Sequence, residues 1–223
     1  SIAWYREQGY LPEAICNYLA LLGWSPGDDK EDISMKELVE LFEVHDVHSS
    51  PARFDMKKLE AINGDKIRAL DPTEFLNRAL PFLKDAGVIN GTDSEIELVK
   101  KALPIIQERI VKLGEIPAML KFLFVSGLAI ESDSKEKIKD DQSKQVLKRS
   151  LEALEPLSTW SHESIEGALR TALIEEMALK PRIAFGTVRI AATGSHISPP
   201  LFESLELLGK DATIARIKAA ISL

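Results

Sequence analysis

The sequence predicts an all-α protein, and three observations carry that prediction. Apolar residues recur at helical spacing along most of the 223 residues. Paired start and stop signals bracket those stripes. No strong period-2 alternation and no repeat of fixed length interrupts them.

The first stripe is Leu11, Ala14, Ile15, Tyr18, Leu19 and Leu22, one face of a helix. Pro12 suits its first turn, where a missing N–H costs nothing, and Gly23 suits a left-handed stop. Cys16, inside this helix, reads as packing material. Trp24-Ser25-Pro26-Gly27 then turns into an acidic loop. Ser34 and Glu37 predict a capping box ahead of Leu38, Val39, Leu41 and Phe42. Asp55 predicts a cap for a helix from Met56 to Ile62, which Asn63-Gly64 is expected to end. A fresh start follows at Asp71, with Pro72 in the first turn and Glu74 at the third position.

Phe75, Leu76, Ala79, Leu80 and Leu83 form the next stripe, with a kink expected at Pro81. A longer helix should carry Val99, Leu103, Ile106, Ile110 and Leu113, bent by Pro104 and broken by Gly114 and Pro117. A short apolar helix through Leu120, Phe122, Leu123 and Phe124 comes next. Residues 126–147 are polar and read equally as a loop or an exposed helix. Further helices are expected over Lys144–Leu154, from a Ser161 cap through Leu173 and Met177, over Pro181–Ala192, over Ser198–Leu208 and over Asp211–Ile221. Turn signals place boundaries near residues 70 and 125. The expected blocks are therefore 1–70, 71–125 and 126–223. Each is near the lower limit for independent folding, so they should pack in a row as an elongated array.

The composition is that of a soluble globular chain, 45% hydrophobic and 28% charged. No apolar run is long enough to cross a bilayer, and no membrane partner is expected. One cysteine excludes an internal disulfide and fits a reducing, cytoplasmic compartment. A net charge of −7 argues against a general nucleic-acid coat. The charge is uneven, however. From Arg170 onward there are seven Lys/Arg and five Asp/Glu, or +2, which leaves −9 on the rest. That asymmetry suits contact with a specific polyanion at limited places, and chance variation would give it equally.

No self-contained active site is visible. There is no phosphate-binding glycine loop and no cysteine pair at zinc spacing. His45-Asp46-Val47-His48 is the one metal-like string, and it reads as a helix end running into Ser49-Ser50-Pro51. Ser161-His162-Glu163 cannot form a relay, because neighbours on a helix point in different directions. His196 and Glu175-Glu176 read as solvated. No catalytic and no metal residue is assigned.

Four stretches carry a resemblance. They are Gly9-Tyr10-Leu11-Pro12 running to Gly23-Trp24-Ser25-Pro26-Gly27; Phe54-Asp55-Met56-Lys57-Lys58-Leu59 with Asn63-Gly64 and Ile67-Arg68; Ala178-Leu179-Lys180-Pro181-Arg182 running to Arg189-Ile190-Ala191-Ala192-Thr193-Gly194; and Ser198-Pro199-Pro200-Leu201-Phe202-Glu203 with Leu207-Leu208-Gly209-Lys210. In this order they resemble the part of bacterial glutamyl-tRNA synthetases that follows the KMSKS loop, with the flavour of the actinobacterial branch. The HIGH and KMSKS motifs themselves are not in these residues, so the resemblance implies no glutamate activation by this stretch alone. It implies a stem-contact region followed by two helical parts that cage an anticodon. It also implies tRNA for glutamate and the catalytic domain of the same parent chain as partners, and a monomer. ATP and magnesium belong to the parent enzyme, with no cofactor in this stretch.

Residue by residue, Arg109 matches the arginine with which glutamate-specific members read the third anticodon base. Arg189 matches another anticodon-contacting arginine. Ser198, Pro199, Leu201 and Phe202 match positions that meet the first and middle bases. Each has a structural alternative: Arg109 as a snorkelling surface side chain, Arg189 in an ion pair, Ser198 as a helix cap, Pro199 as a first-turn residue, and Leu201 and Phe202 as core. Lys57, Lys58, Lys66 and Arg68 are weaker candidates for the tRNA backbone. The competing reading of the whole chain is a helical protein-interaction module with no RNA role.

Overall fold

Thirteen α-helices, with short 3-10 and π segments, make up all the regular structure among the described residues of the computed structural model. Residues 1–49 and 51–223 are described, so the centre of the expected Ser49-Ser50-Pro51 turn lies outside them. None of these helices is long and apolar enough to cross a membrane. The chain forms two compact units, Ser1–Gly87 with Ile106–Pro117, and Val88–Ile105 with Ala118–Leu223. The boundary expected near residue 70 falls inside the first and that near 125 inside the second.

In the first unit, α1 (Ile2–Gln8) ends at Gly9, whose φ of 90° makes it a left-handed cap. Pro12 then opens α2 (Pro12–Leu21) as expected. Gly23 does not act as a left-handed stop. Its carbonyl accepts the His48 amide at 2.7 Å, and a Cβ there would meet Val47 Cγ1 at 3.3 Å. This glycine admits a neighbouring backbone. Buried Asn17 fastens the acidic loop, donating to Glu31 O at 2.8 Å and accepting from the Ile33 amide at 2.9 Å. The predicted capping box heads α3 (Met35–Leu41), with Glu37 N–H to Ser34 Oγ at 3.0 Å and Ser34 N–H to Glu37 at 2.8 Å.

Asp55 caps α4 (Met56–Ala69) as read, but Asn63-Gly64 does not end it. Asn63 is fully buried. It accepts from the Leu11 amide at 2.8 Å and donates to Gly9 O at 3.3 Å and Val111 O at 2.6 Å. Gly64 lets Val111 and the Arg68 guanidinium approach within 3.3 Å of where a Cβ would stand. The pair is a tertiary clamp, and the helix continues through it. Asp71 and Pro72 begin α5 (Pro72–Asp85) as predicted, with Glu74 N–H on the Asp71 carboxylate at 2.8 Å.

The expected long helix is shorter than its apolar stripe. α6 (Asp93–Ile106) closes when the Arg109 and Ile110 amides both bond Ile106 O. Gln107 then turns back and donates to Ile67 O at 2.9 Å and Leu70 O at 3.0 Å, closing the end of α4. Ile110 and Leu113 are buried as expected but reach the core from irregular chain and from a 3-10 turn, Leu113–Glu115. Pro117 sits near the start of α7 (Ile116–Leu120), followed by a 3-10 turn, Lys121–Leu123.

The second unit is a helical bundle around α9 (Asp141–Leu154), which packs on α10 (His162–Leu169), α11 (Pro181–Thr193) and α13 (Lys210–Ile221). Residues 126–147 resolve into a short α8 (Ser132–Glu136), buried Ile138, and the Asp140-capped start of α9. Val146, Leu147, Leu154, Ile165, Leu169 and Ile217 are fully buried in the core. Lys210 stands at the end of α9, donating to Glu155 O and Leu157 O, each at 2.7 Å. A cation there complements the helix carbonyls. Arg216 on α13 forks onto three backbone carbonyls, Ala192 O at 2.8 Å, Phe122 O at 2.9 Å and Val125 O at 3.0 Å. Burial pushes its pKa down.

Candidate nucleic-acid interface

In the second unit, α10 does not run through to Met177 as an ordinary helix. Its last turn widens into a π segment, Arg170–Glu176, and Ala178 follows with φ of +54°. Wide turns and left-handed non-glycine residues store strain and are concentrated at working sites. Here they frame Arg170. Its guanidinium lies 5.4 Å from the Phe185 ring centre and 5.9 Å from that of Phe202. Glu166, one turn back, accepts from its Nε at 2.7 Å and fixes its direction. The two rings meet edge to face at 5.2 Å.

Phe185 and Arg189 lie one turn apart on α11 and so share a face. Arg189 Nε donates to Ser198 Oγ at 2.9 Å, and Ser198 Oγ donates to Pro199 O at 2.7 Å. Ser198 is thus not a helix cap. Helix α12 (Leu201–Leu208) starts three residues later, with Pro200 at its N-cap and no side-chain cap. Pro200 removes the second-position amide a Ser198 cap could take, and the Ser198 hydroxyl is instead engaged by Pro199 O and Arg189. Leu201 points into the core and Pro199 is buried, while Ser198, Phe202 and Arg189 are half-buried. The second unit therefore brings together Arg170, Phe185, Arg189, Ser198 and Phe202. Arg170 and Phe185 were missed in the sequence, where the helical signal gave no hint of a widened turn. Phe185, one turn before Arg189 on the expected Pro181–Ala192 helix, was the available signal.

Arg109 belongs to the first unit. It is exposed in the turn after α6, not on the helix, and among the described residues none bonds its guanidinium. The weaker cationic candidates are mostly taken. Lys58 pairs with Glu31 at 2.9 Å and Arg68 with Asp65 at 2.5 Å. Lys66 is only 10% exposed and divides its ammonium between Asp32 at 2.8 Å and Ile33 O at 3.0 Å. Lys57 alone of the four projects from α4 without an ion pair among the described residues.

A polar hollow in the first unit holds Lys30, Lys66 and Arg78. Each is neutralised, by Glu37, Asp32, and Glu13 with Glu74 respectively. These residues do not fit a nucleoside triphosphate.

His162 lies between two carboxylates, with Nδ1 2.7 Å from Glu206 and Nε2 2.9 Å from Glu163. The Glu206 hydrogen bond, then the two negative charges, raise the imidazole above its ordinary range. Glu206 is held low, first by the His162 amide and then by the ring. The raised histidine stabilises the fold fully below about pH 6.5, and that contribution is lost as pH rises through the raised value. The lowered carboxylate acts oppositely, losing its contribution as pH falls into the acid range. His162→Gln should therefore flatten the stability profile above about pH 6.5. Proton NMR of the ring should titrate above about pH 6.5; an ordinary midpoint contradicts the pairing.

Two families match this chain. The anticodon binding domain family matches residues 74–221, and the catalytic domain of class I tRNA synthetases for Glu and Gln matches residues 1–61. A glutamate–tRNA ligase of Nocardioides sp. is 48% identical over 221 residues, which are 97% of this chain and 45% of that protein. One from Paenarthrobacter aurescens is 46% identical, over 98% of this chain and 44% of its own. The chain thus spans under half the length of these relatives. A solved glutamate tRNA ligase from Elizabethkingia meningosepticum superposes with a TM-score of 0.80 at 28% identity, covering 98% of this chain and 42% of the other.

Proposed function

We propose that this chain, which belongs to the anticodon binding domain family, recognises tRNA for glutamate as the RNA-reading part of a glutamate–tRNA ligase. The observation that supports this reading most is the cluster of Arg170, Phe185, Arg189, Ser198 and Phe202 inside the matched span. RNA sequence is read where bases are splayed out of a helix. Such a base needs a flat apolar face and a directional donor. Phe202 and the Arg170 guanidinium offer faces, and a stack on either is worth roughly 1–3 kcal/mol. Arg189, held by Ser198, brings a planar, charged guanidinium to the same site. Pro199 and Leu201, buried beneath, would hold the start of α12 in place and contribute through backbone.

Arg109 is assigned to the third anticodon base and Lys57 to the RNA backbone. Residues 1–70 are assigned to the tRNA stem. Activation of glutamate with ATP and magnesium is assigned to catalytic residues outside this chain.

The test is a tRNA titration against salt. Real RNA binding weakens steeply as counterions compete. Phe202→Ala and Arg189→Ala should each weaken binding by about 5- to 150-fold, the equivalent of 1–3 kcal/mol. The Arg189 variant also loses the bond to Ser198, so its melting is measured alongside its binding. In a chain with a working catalytic domain, Arg109→Gln should shrink the preference for glutamate tRNA over glutamine tRNA by a similar factor. Absence of binding at low salt would reject the proposal in favour of a protein-interaction module.

A further inference from the structure

A hollow of about 500 Å³ opens within the second unit, between the loop 126–130 and the last turns of α13. Small side chains make the space. Ala191 and Ala220 are buried in it, and Ala215 and Ala219, one turn apart on α13, border it from the exposed side. The loop is held in place by its backbone. Glu131 N–H donates to Gly194 O at 2.9 Å. Gly194 has φ of +81°, and a Cβ on it would stand 2.8 Å from Ala129 O. A concave, mostly apolar hollow with fixed walls and a few polar groups is the usual form of a small-molecule site. Ala191 lies two residues past Arg189 on α11 and is turned about 200° from it. The hollow is therefore on a different side of that helix from the RNA-reading cluster.

Charge selects the ligand. Lys135 of α8 and Arg216 of α13 line the hollow, and among the described residues no Asp or Glu side chain does. Arg216 gives its hydrogen bonds to three neutral carbonyls, and no described carboxylate pairs with it. A buried charge is ordinarily matched by an opposite one. Here burial lowers the guanidinium pKa and nothing opposes the shift. Lys135 has no ion pair among the described residues either. The carboxylates around it are engaged elsewhere. Glu131 accepts from Ser195 Oγ at 3.0 Å, Asp133 from the Ser134 amide at 2.8 Å and Glu136 from Lys139 Nζ at 2.5 Å. We infer that this hollow binds a small organic carboxylate with an apolar body, its head toward Lys135 and Arg216 and its body against the alanines. The RNA reading neither requires this site nor depends on it.

Octanoate is the probe, added to the 223-residue chain and followed by amide NMR. Its shifts should saturate on the order of 1 mM and be confined to residues 126–135 and the last turns of α11 and α13. 1-Octanol has the tail without the charge, and acetate has the charge without the tail. Each should bind on the order of ten-fold more weakly than octanoate. Lys135→Gln should weaken octanoate binding about ten-fold and leave melting unchanged, since it breaks no ion pair. Ala219→Leu, at an exposed helical position that leucine suits, should fill the hollow and remove the shifts. If that variant melts early, the lysine variant and the two control ligands decide alone. Equal binding of octanoate and 1-octanol would overturn the inference, because the cations would then take no part. Equal binding of octanoate and acetate would overturn it too, by leaving a bare anion contact. So would shifts that do not saturate, or that spread over both units.

Discussion

Gly9→Ala should destabilise the first unit by roughly 3 kcal/mol or more, the sum of a left-handed side chain at about 1–2 kcal/mol and overpacking at about 1–3 kcal/mol. Gly9 has φ of +90°, and a Cβ there would stand 2.3 Å from the Gly114 amide nitrogen and 2.5 Å from that of Leu113. Both neighbours are backbone, so no rotamer can relieve the clash. The approach is reciprocal, because a Cβ on Gly114 would lie 2.6 Å from Gln8 O. The contact also carries a hydrogen bond, Leu113 N–H to Gly9 O at 3.0 Å, and the Asn63 amide reaches the same carbonyl. Opening the contact to admit a methyl would therefore strain the Asn63 clamp as well. Urea unfolding followed by hydrogen exchange checks this. Protection should fall in α1, α2 and α4 and persist in α9. A loss under about 1 kcal/mol would show that the two backbone segments can part cheaply.

In the second unit the comparable change is Arg216→Met, expected to cost roughly 3–5 kcal/mol. The methionine keeps most of the stem and removes the fork. Three carbonyls, on Ala192, Phe122 and Val125, then lose a charged donor at once. A hydrogen bond to a charged group is worth about 1.5–3 kcal/mol, and shared donors do not add fully. Lysine should recover only part, because one ammonium cannot reach three acceptors in a plane. The carbonyls belong to the end of α11, to the 3-10 turn Lys121–Leu123 and to the residues just after it, so exchange should quicken in these places together. If Arg216→Met and Arg216→Lys melt alike and near the parent, the fork contributes little.

Where a feature depended on neighbours in sequence, it was legible before folding. The Ser34–Glu37 box, the Asp55 and Asp71 caps and the Pro12 and Pro72 starts are local chemistry, and each stands where the residues put it. Long-range use of the same residue types was not legible. Asn63-Gly64 is a turn signal on its own, but its donors and acceptor are satisfied from Gly9, Leu11 and Val111. Gly23 reads as a helix stop and serves a close approach by Val47 and His48. Leu19 belongs to the expected stripe and Cys16 reads as packing in the same helix, yet both face outward, because periodicity marks apolar faces without saying what covers them. At the candidate interface, Arg189, Ser198 and Phe202 could be picked out by resemblance. Arg170 and Phe185 needed the fold, since their meeting depends on how α10 ends.

That ending has a consequence of its own. An α-helix advances about 100° per residue, so side chains on either side of a regular turn keep a fixed phase. The π stretch from Arg170 to Glu176 holds extra chain in its turn and so offsets the two flanks from one another. A variant one residue shorter between Leu169 and Met177 could close into a regular helix, but only by giving up that offset and swinging the guanidinium off the aromatic pair. Over this interval, chain length is a tighter constraint than residue identity.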